Sequence, residues 1–242
     1  GSLKNKLLFL LPGALALSAL APWLITPLLM LGGLYLCFEG AEKVLESVAP
    51  HGAEAAVAEE IVDAETFEKE KVAGAIATDF ILSGEIMAIT LASIATAPFW
   101  QQALVLALVG VGLTVLVYGA VALIVKADDL GVRLAQEKYN ALTRAIGRGL
   151  VKGMPVFLKV LSLVGTAAMI WVGGGILLHG LEHFGLSAPA HLVHAAEGAV
   201  IRLVGPLGGF TGWAVSAVAS GILGLAVGAA LVPLAGLFHK KA

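Results

Sequence analysis

Two clusters of ionisable residues stand 140 positions apart, each closing a long apolar run: Glu39, Glu42 and Lys43 follow Gly33, and His179, Glu182 and His183 follow Gly173. On a helix, positions i, i+3 and i+4 share a face, so each cluster forms one stripe. Ionisable groups inside a membrane helix are costly and mark pathways, relays or binding sites. Carboxylates and imidazoles facing a wet cavity would pass protons or hold a cation. The plain alternative is that both helices end there and the charges sit at the membrane surface, with Glu39 and Lys43 as an ordinary i, i+4 pair.

Two further polar faces accompany the clusters. His191, His194 and Arg202 fall within about 80° of arc at 100° per residue, with Glu197 extending the same side; Asp79 and Glu85 are their nearest equivalents in the first half. Lipid would not tolerate such a face, so it must look at protein or water. Pairing of Glu85 or Glu39 with Arg202 or a histidine is the natural neutralisation, and a purely structural buried network is the alternative. His179-Gly180-Leu181-Glu182-His183 also fits the H-x-x-E-H pattern of zinc peptidases. Two imidazoles one turn apart, with Glu197 as third ligand, would hold a divalent metal and make a metal-dependent membrane enzyme. The matching stripe of the first half lacks histidine, which weighs against that reading. No nucleophilic triad, P-loop or dinucleotide fingerprint is present, and no cofactor is identified.

The elements that must carry these residues are membrane helices. Hydrophobic residues make up 59% of 242 and charged residues 13%, against roughly 45–50% and 25% in soluble domains. Uncharged runs extend over Leu7–Phe38, Ile86–Val125, Val160–Leu178 and Leu203–Phe238, and one span needs about 20 residues. The net charge of −2 and the absence of a basic, aromatic-interleaved stripe exclude a nucleic-acid partner. A lone Cys37 rules out a disulfide framework.

Proline, glycine and tryptophan divide the runs. A short helix ends at Ala21-Pro22-Trp23, and a second runs from Pro27 to Ser47; a re-entrant or strongly tilted hairpin is one form these two can take. Residues 46–71 carry eight acidic residues and read as an amphipathic surface helix. Thr78–Ala97 is a span bearing Asp79 and Glu85, and Ala103–Val125 a clean one. Lys126–Lys159 gathers seven Lys or Arg and is cytoplasmic by the positive-inside rule. A poorer segment, Ile146–Leu161 with Met154-Pro155, then leads into the His179 helix, the polar helix Ser187–Val204 and a last span, Trp213–Leu234. In that last span Gly212, Ser216, Ser220, Gly224 and Gly228 recur every four residues, a stripe for close backbone packing.

Each half therefore reads as short, cluster, polar and clean helix. The expected fold is all-α: a polytopic helical membrane protein of two pseudo-symmetric halves, residues 1–130 (with a polar insert at 46–77) and 131–242, with short or re-entrant helices. Lys4, Lys6, the basic connection and Lys240-Lys241 all favour one side, which asks for an even number of crossings per half; three spans per half would make the repeats inverted.

The strings Ala21-Pro22-Trp23-Leu24-Ile25-Thr26-Pro27, Phe38-Glu39-Gly40-Ala41-Glu42-Lys43-Val44-Leu45, Thr78-Asp79-Phe80-Ile81-Leu82-Ser83-Gly84-Glu85-Ile86 and Asp128-Asp129-Leu130-Gly131 resemble the YedI-type bacterial inner-membrane family. The similarity spans the chain, loosest from Leu181 to Arg202. It implies a multi-pass protein of the bacterial inner membrane with no established reaction, in which Glu39, Glu42, Asp79, Glu85 and Asp128-Asp129 are family-typical. It also implies a polar segment preceding Gly1. The functional expectation is a proton-coupled transporter or channel for an ion or small solute, with Glu39, Glu42, Asp79, Glu85, His179, Glu182, His183, His191, His194, Glu197 and Arg202 as candidates around a central site. Its partners are the lipid bilayer and a small solute or ion. A scaffold or lipid-associated factor is the alternative.

Overall fold

A computed structural model describes residues 2–48, 64–136, 140–204 and 208–239; most of the acidic insert, Lys138, the Gly205-Pro206 turn and Lys240-Lys241 lie outside them. The described residues form helices joined by short turns. Helix α1 spans Ser2–Leu20 and contains a π-helical turn at Lys6–Leu10. After a 3-10 turn at Pro22–Leu24 come α2 (Ile25–Val48), α3 (Ala64–Ser93), α4 (Phe99–Leu134), α5 (Ala141–His183), α6 (Ala188–Val204) and α7 (Gly208–His239). Six of these, all but α6, contain stretches long and apolar enough to cross a membrane. Leu104, Leu108, Leu116 and Leu123 on α4 point outward with half or more of their surface uncovered, as lipid-facing side chains do. The chain is an all-α, multi-pass membrane protein.

Local chemistry explains the helix ends. Ala21 leaves helical geometry (φ −151°, ψ 62°) ahead of Pro22, which separates α1 from α2. The α3–α4 turn is tied by Gln102, whose Nε2 donates to the carbonyls of Ala95 and Ala97 at 3.1 and 3.0 Å. Asn140 caps α5 by accepting from the Thr143 amide at 2.8 Å. Gly185, at φ +87°, closes it and lets the Leu186 amide reach the Leu181 carbonyl.

Two sequence expectations are corrected. Met154-Pro155 breaks nothing: α5 runs 43 residues with Pro155 inside it, about 65 Å long and twice the hydrocarbon thickness. The short and cluster helices of the second half are thus one rod, where the first half has two helices and a turn. The span carrying Asp79 is also longer at its start than expected, since α3 begins at Ala64.

The centre of the fold is an antiparallel crossing of α2 and α5. A Cβ on Gly33 would come 3.0 Å from the Gly173 carbonyl oxygen, and one on Gly173 2.8 Å from the Gly33 carbonyl oxygen. On either side, Gly40 packs against Ile170 and Gly180 against Met30. Glycine lets the two backbones touch, which substitutes van der Waals contact for the hydrophobic drive that lipid does not supply. Helix α7 lies against both through its small-residue stripe. Gly224 abuts the Ile170 carbonyl, Ser220 abuts Gly174, Gly228 abuts the Cys37 carbonyl, and Gly212 receives Ile201 of α6. The packing reading of that stripe holds.

A methyl group at Gly174 would overlap the Ser220 carbonyl oxygen, whereas one at Gly112 meets open space. Gly174→Ala is expected to destabilise the bundle by about 3 kcal/mol, and Gly112→Ala to change stability by less than about 1 kcal/mol. Thermal unfolding in detergent, read for both variants beside the wild type, checks this.

Candidate functional site

Helix α1 runs alongside α3 and antiparallel to α4, its Leu15 packed with Met87, Leu91 and Leu106. That packing carries Lys6 inward. Its side chain is 1% exposed, and its Cβ lies beside Gly110 of α4. Gly110 is roughly 17 Å along the axis from Phe99, so Lys6 packs inside the bundle, within a helix long and apolar enough to cross a membrane. Lys6 is therefore no surface marker of topology, as its place near the start of the chain suggested. It is the buried cation of the site. The widened π turn begins at this residue, a distortion often found at functional positions.

Lys6 Nζ donates to Asp79 Oδ1 and Oδ2 at 2.9 and 3.1 Å and to Ser2 Oγ at 2.8 Å; Ser2 Oγ donates to Asp79 Oδ2 at 2.5 Å. The Tyr118 ring lies 6.0 Å from the ammonium, on its aromatic face. On the residue next to Asp79, Thr78 Oγ1 donates to Glu39 Oε2 at 3.1 Å, and Lys43 Nζ donates to Glu39 Oε1 at 2.8 Å. The Glu39–Lys43 pair is the expected i, i+4 pair, but it faces protein on one side through Thr78 and Met169.

Lys6, Asp79, Thr78, Glu39 and Lys43 line a cavity of about 820 Å³ walled by α1 to α5, here called the carboxylate cavity. Its charged lining is Lys6 and Lys43 against Glu39, Glu42, Glu46 and Asp79, two positive and four negative, for a net charge of −2. Glu42 lines the wall and has no ion-pair partner among the described residues, and the exposed Glu46 stands at the mouth. Such a chamber suits a small cation: the surplus carboxylates attract it, and Lys6 leaves Asp79 already compensated when the chamber is empty.

Glu85 does not join the other carboxylates. It faces a second cavity of about 430 Å³, with Thr26, Trp171, His179 and His183. This histidine cavity shares no lining residue with the first. Between them lies a dry layer in which Leu36, Met169 and Ile176 are buried and Leu29, Ile81 and Leu82 pack around them. The expected single central site is thus two polar chambers.

The remaining candidates stand apart. Glu182 is exposed next to His183 and lines neither cavity. On α6, His191 is exposed, His194 is 58% exposed and lies 3.5 Å from Glu197, and Arg202 donates to the Gly198 carbonyl. The polar face of α6 looks outward and delivers nothing to either chamber. Among the described residues no three His, Cys, Asp or Glu side chains gather as a metal site would require. Lys6, Ser2 and Tyr118 are the residues that sequence reasoning missed. The i, i+4 spacing of Ser2 and Lys6 was the available signal, hidden because a lysine flanking an apolar run ordinarily snorkels to the interface.

Asp79→Asn would strand the Lys6 ammonium and is expected to destabilise the protein by about 3–5 kcal/mol, while the double variant Lys6→Met, Asp79→Leu recovers most of the loss. Glu39→Gln, whose partner Lys43 is 38% exposed, should cost less than about 1 kcal/mol. Unfolding midpoints of the three variants in detergent decide between these outcomes.

Neither the curated proteins nor the solved structures include one that matches this chain. A family model described as a protein of unknown function, DUF808, matches residues 1–234, nearly the whole sequence. The match runs through both chambers, the α2–α5 crossing and α7, and so covers every element that positions the site. The chain belongs to the DUF808 family of proteins of unknown function.

Proposed function

We propose that this protein is a proton-coupled transporter of a small cation, residing in the bacterial inner membrane. The observation that carries the reading is the carboxylate cavity: a chamber with surplus negative charge, built around the buried Lys6 and its partner Asp79. A structural ion pair alone needs no chamber of 820 Å³ beside it, and a fixed salt bridge in lipid is expensive unless the charge has work to do. A cation entering the chamber meets Glu42 and Glu46 first, then the Glu39–Thr78 group, then Asp79. Its arrival near Asp79 competes with Lys6 for the same carboxylate, which couples occupancy to the position of α1. The acidic mouth opens at the end of the bundle where Arg144, Arg148 and Lys152 lie, the cytoplasmic side by the positive-inside rule.

The histidines of α5 enter this proposal as groups on the opposite side of the dry layer, and those of α6 have no part in it. The internal repeat enters through α2 and α5 only.

Reconstituted in vesicles carrying an acid-inside pH gradient, the wild type is expected to dissipate the gradient when Li⁺, Na⁺, K⁺, Mg²⁺ or Ca²⁺ is added outside, read by an entrapped pH dye. The Lys6→Met, Asp79→Leu variant, once its unfolding midpoint shows the fold retained, should lose at least tenfold in rate, and Glu42→Gln should raise the cation concentration for half-maximal rate. Gradient loss that no cation evokes, or full activity in the neutral double variant, contradicts the proposal.

A further inference from the structure

The histidine cavity mirrors the carboxylate cavity across the α2–α5 crossing. At the α2–α5 crossing, Gly40 meets Ile170 and Gly180 meets Met30. Adding 140 to either residue of the pair 30 and 40 gives the contact on the other helix, 170 and 180, with the roles reversed. Gly33 and Gly173, also 140 apart, meet each other. A contact set that maps onto itself in this way is isologous, the mark of a two-fold axis between the elements. Because the helices are antiparallel, that axis lies in the membrane plane.

The same operation maps the chambers. Tyr35, Glu39 and Lys43 of α2 line the carboxylate cavity together with Met169 of α5. Their counterparts at +140, Gly175, His179 and His183 of α5, line the histidine cavity, and with them comes Leu29 of α2, the counterpart of Met169. Order along α2 places the chambers at opposite ends: Thr26 belongs to the histidine cavity and Glu46 to the carboxylate cavity, about 30 Å apart along the axis. On α3 the two linings overlap in depth on different faces: the carboxylate cavity takes residues from Gly74 to Ile86, and the histidine cavity takes Glu85 and Ile89.

We infer that the histidine cavity is a second cation site, the inverted counterpart of the carboxylate cavity, entered from the opposite face of the membrane. Glu85 is its anionic group. It makes no hydrogen bond or ion pair among the described residues, so its carboxylate is available to a cation in the chamber, which Thr26, His179 and His183 also line without gathering around one point as metal ligands would. The choice of ligand rests on the transport reading, whereas the two-sided geometry does not.

Both parts are tested in one background, Cys37→Ser, in oriented vesicles treated with a membrane-impermeant maleimide on either side. Glu42→Cys is expected to react only from the face on which Lys152→Cys reacts, and His179→Cys only from the face on which Phe184→Cys reacts. Labelling of Glu42→Cys and His179→Cys from the same face, or no labelling of His179→Cys while Phe184→Cys reacts, overturns the inverted arrangement. Glu85→Gln should keep the wild-type labelling pattern of both positions while lowering cation-evoked gradient loss at least tenfold; undiminished exchange overturns the cation role of this chamber. If the labelling is two-sided but the wild type exchanges no cation, the transport reading fails and the inverted pair of chambers stands.

Discussion

Everything in this fold hangs on how closely α2 and α5 approach. In lipid the helices gain no hydrophobic energy by leaving one set of alkyl groups for another, so their association depends on dispersion at short range. Gly33, Gly173, Gly40 and Gly180 remove the side chains that would hold the axes apart, and the gaps they leave are filled by Ile170, Ile176 and Met30. Helix α7 then seals the same crossing with Gly224 and Gly228. The resulting core is dry and thin. It separates two polar chambers without filling the space above and below it, because α1, α3 and α4 lie to one side and α6 packs on α7.

The charged groups follow from that geometry. A buried ammonium is tolerated only with a partner, and α1 delivers Lys6 to Asp79 with Ser2 completing the hydrogen bonding. The pair is nearly self-neutralising, so the net charge of the chamber comes from Glu42, Glu46 and the Glu39 group. Two energy scales coexist in one cavity. Lys6 is desolvated and costly to part from Asp79; Lys43 is 38% exposed, and its pairing with Glu39 is cheaper to rearrange. A cation passing through can displace the second pair easily and must contend with the first.

Much of this was legible in the residues. The all-α membrane class, the break at Ala21-Pro22, the clean span through Ala103–Val125 and the packing role of the Gly212–Gly228 stripe follow from composition, proline placement and four-residue spacing, and the structure bears them out. The stripes at Glu39 and His179 were visible as a repeat of residue types, but their placement at opposite ends was not. That depends on Pro155 failing to break α5 where Ala21-Pro22 breaks the first half. A single turn present in one half and missing in the other inverts α5 relative to α2 even though charge still asks for even crossings. The outward turn of His191 and His194 was equally hidden, because periodicity defines a face and not what covers it. Lys6 was overlooked for the same reason: its depth is set by which helix α1 lies against, a tertiary fact.

The central claim is that water enters this protein from both faces and stops at one dry layer. Cysteine scanning along α3 from Gly74 to Ile89, with an impermeant reagent applied to each face in turn, measures this most directly. Two reactive sets are expected on different faces of the helix, one reached from the basic face and extending from Gly74 to Ile86, the other reached from the opposite face and including Glu85 and Ile89. A single stretch reached from one face alone, or no reactivity deeper than Ala75, would contradict it.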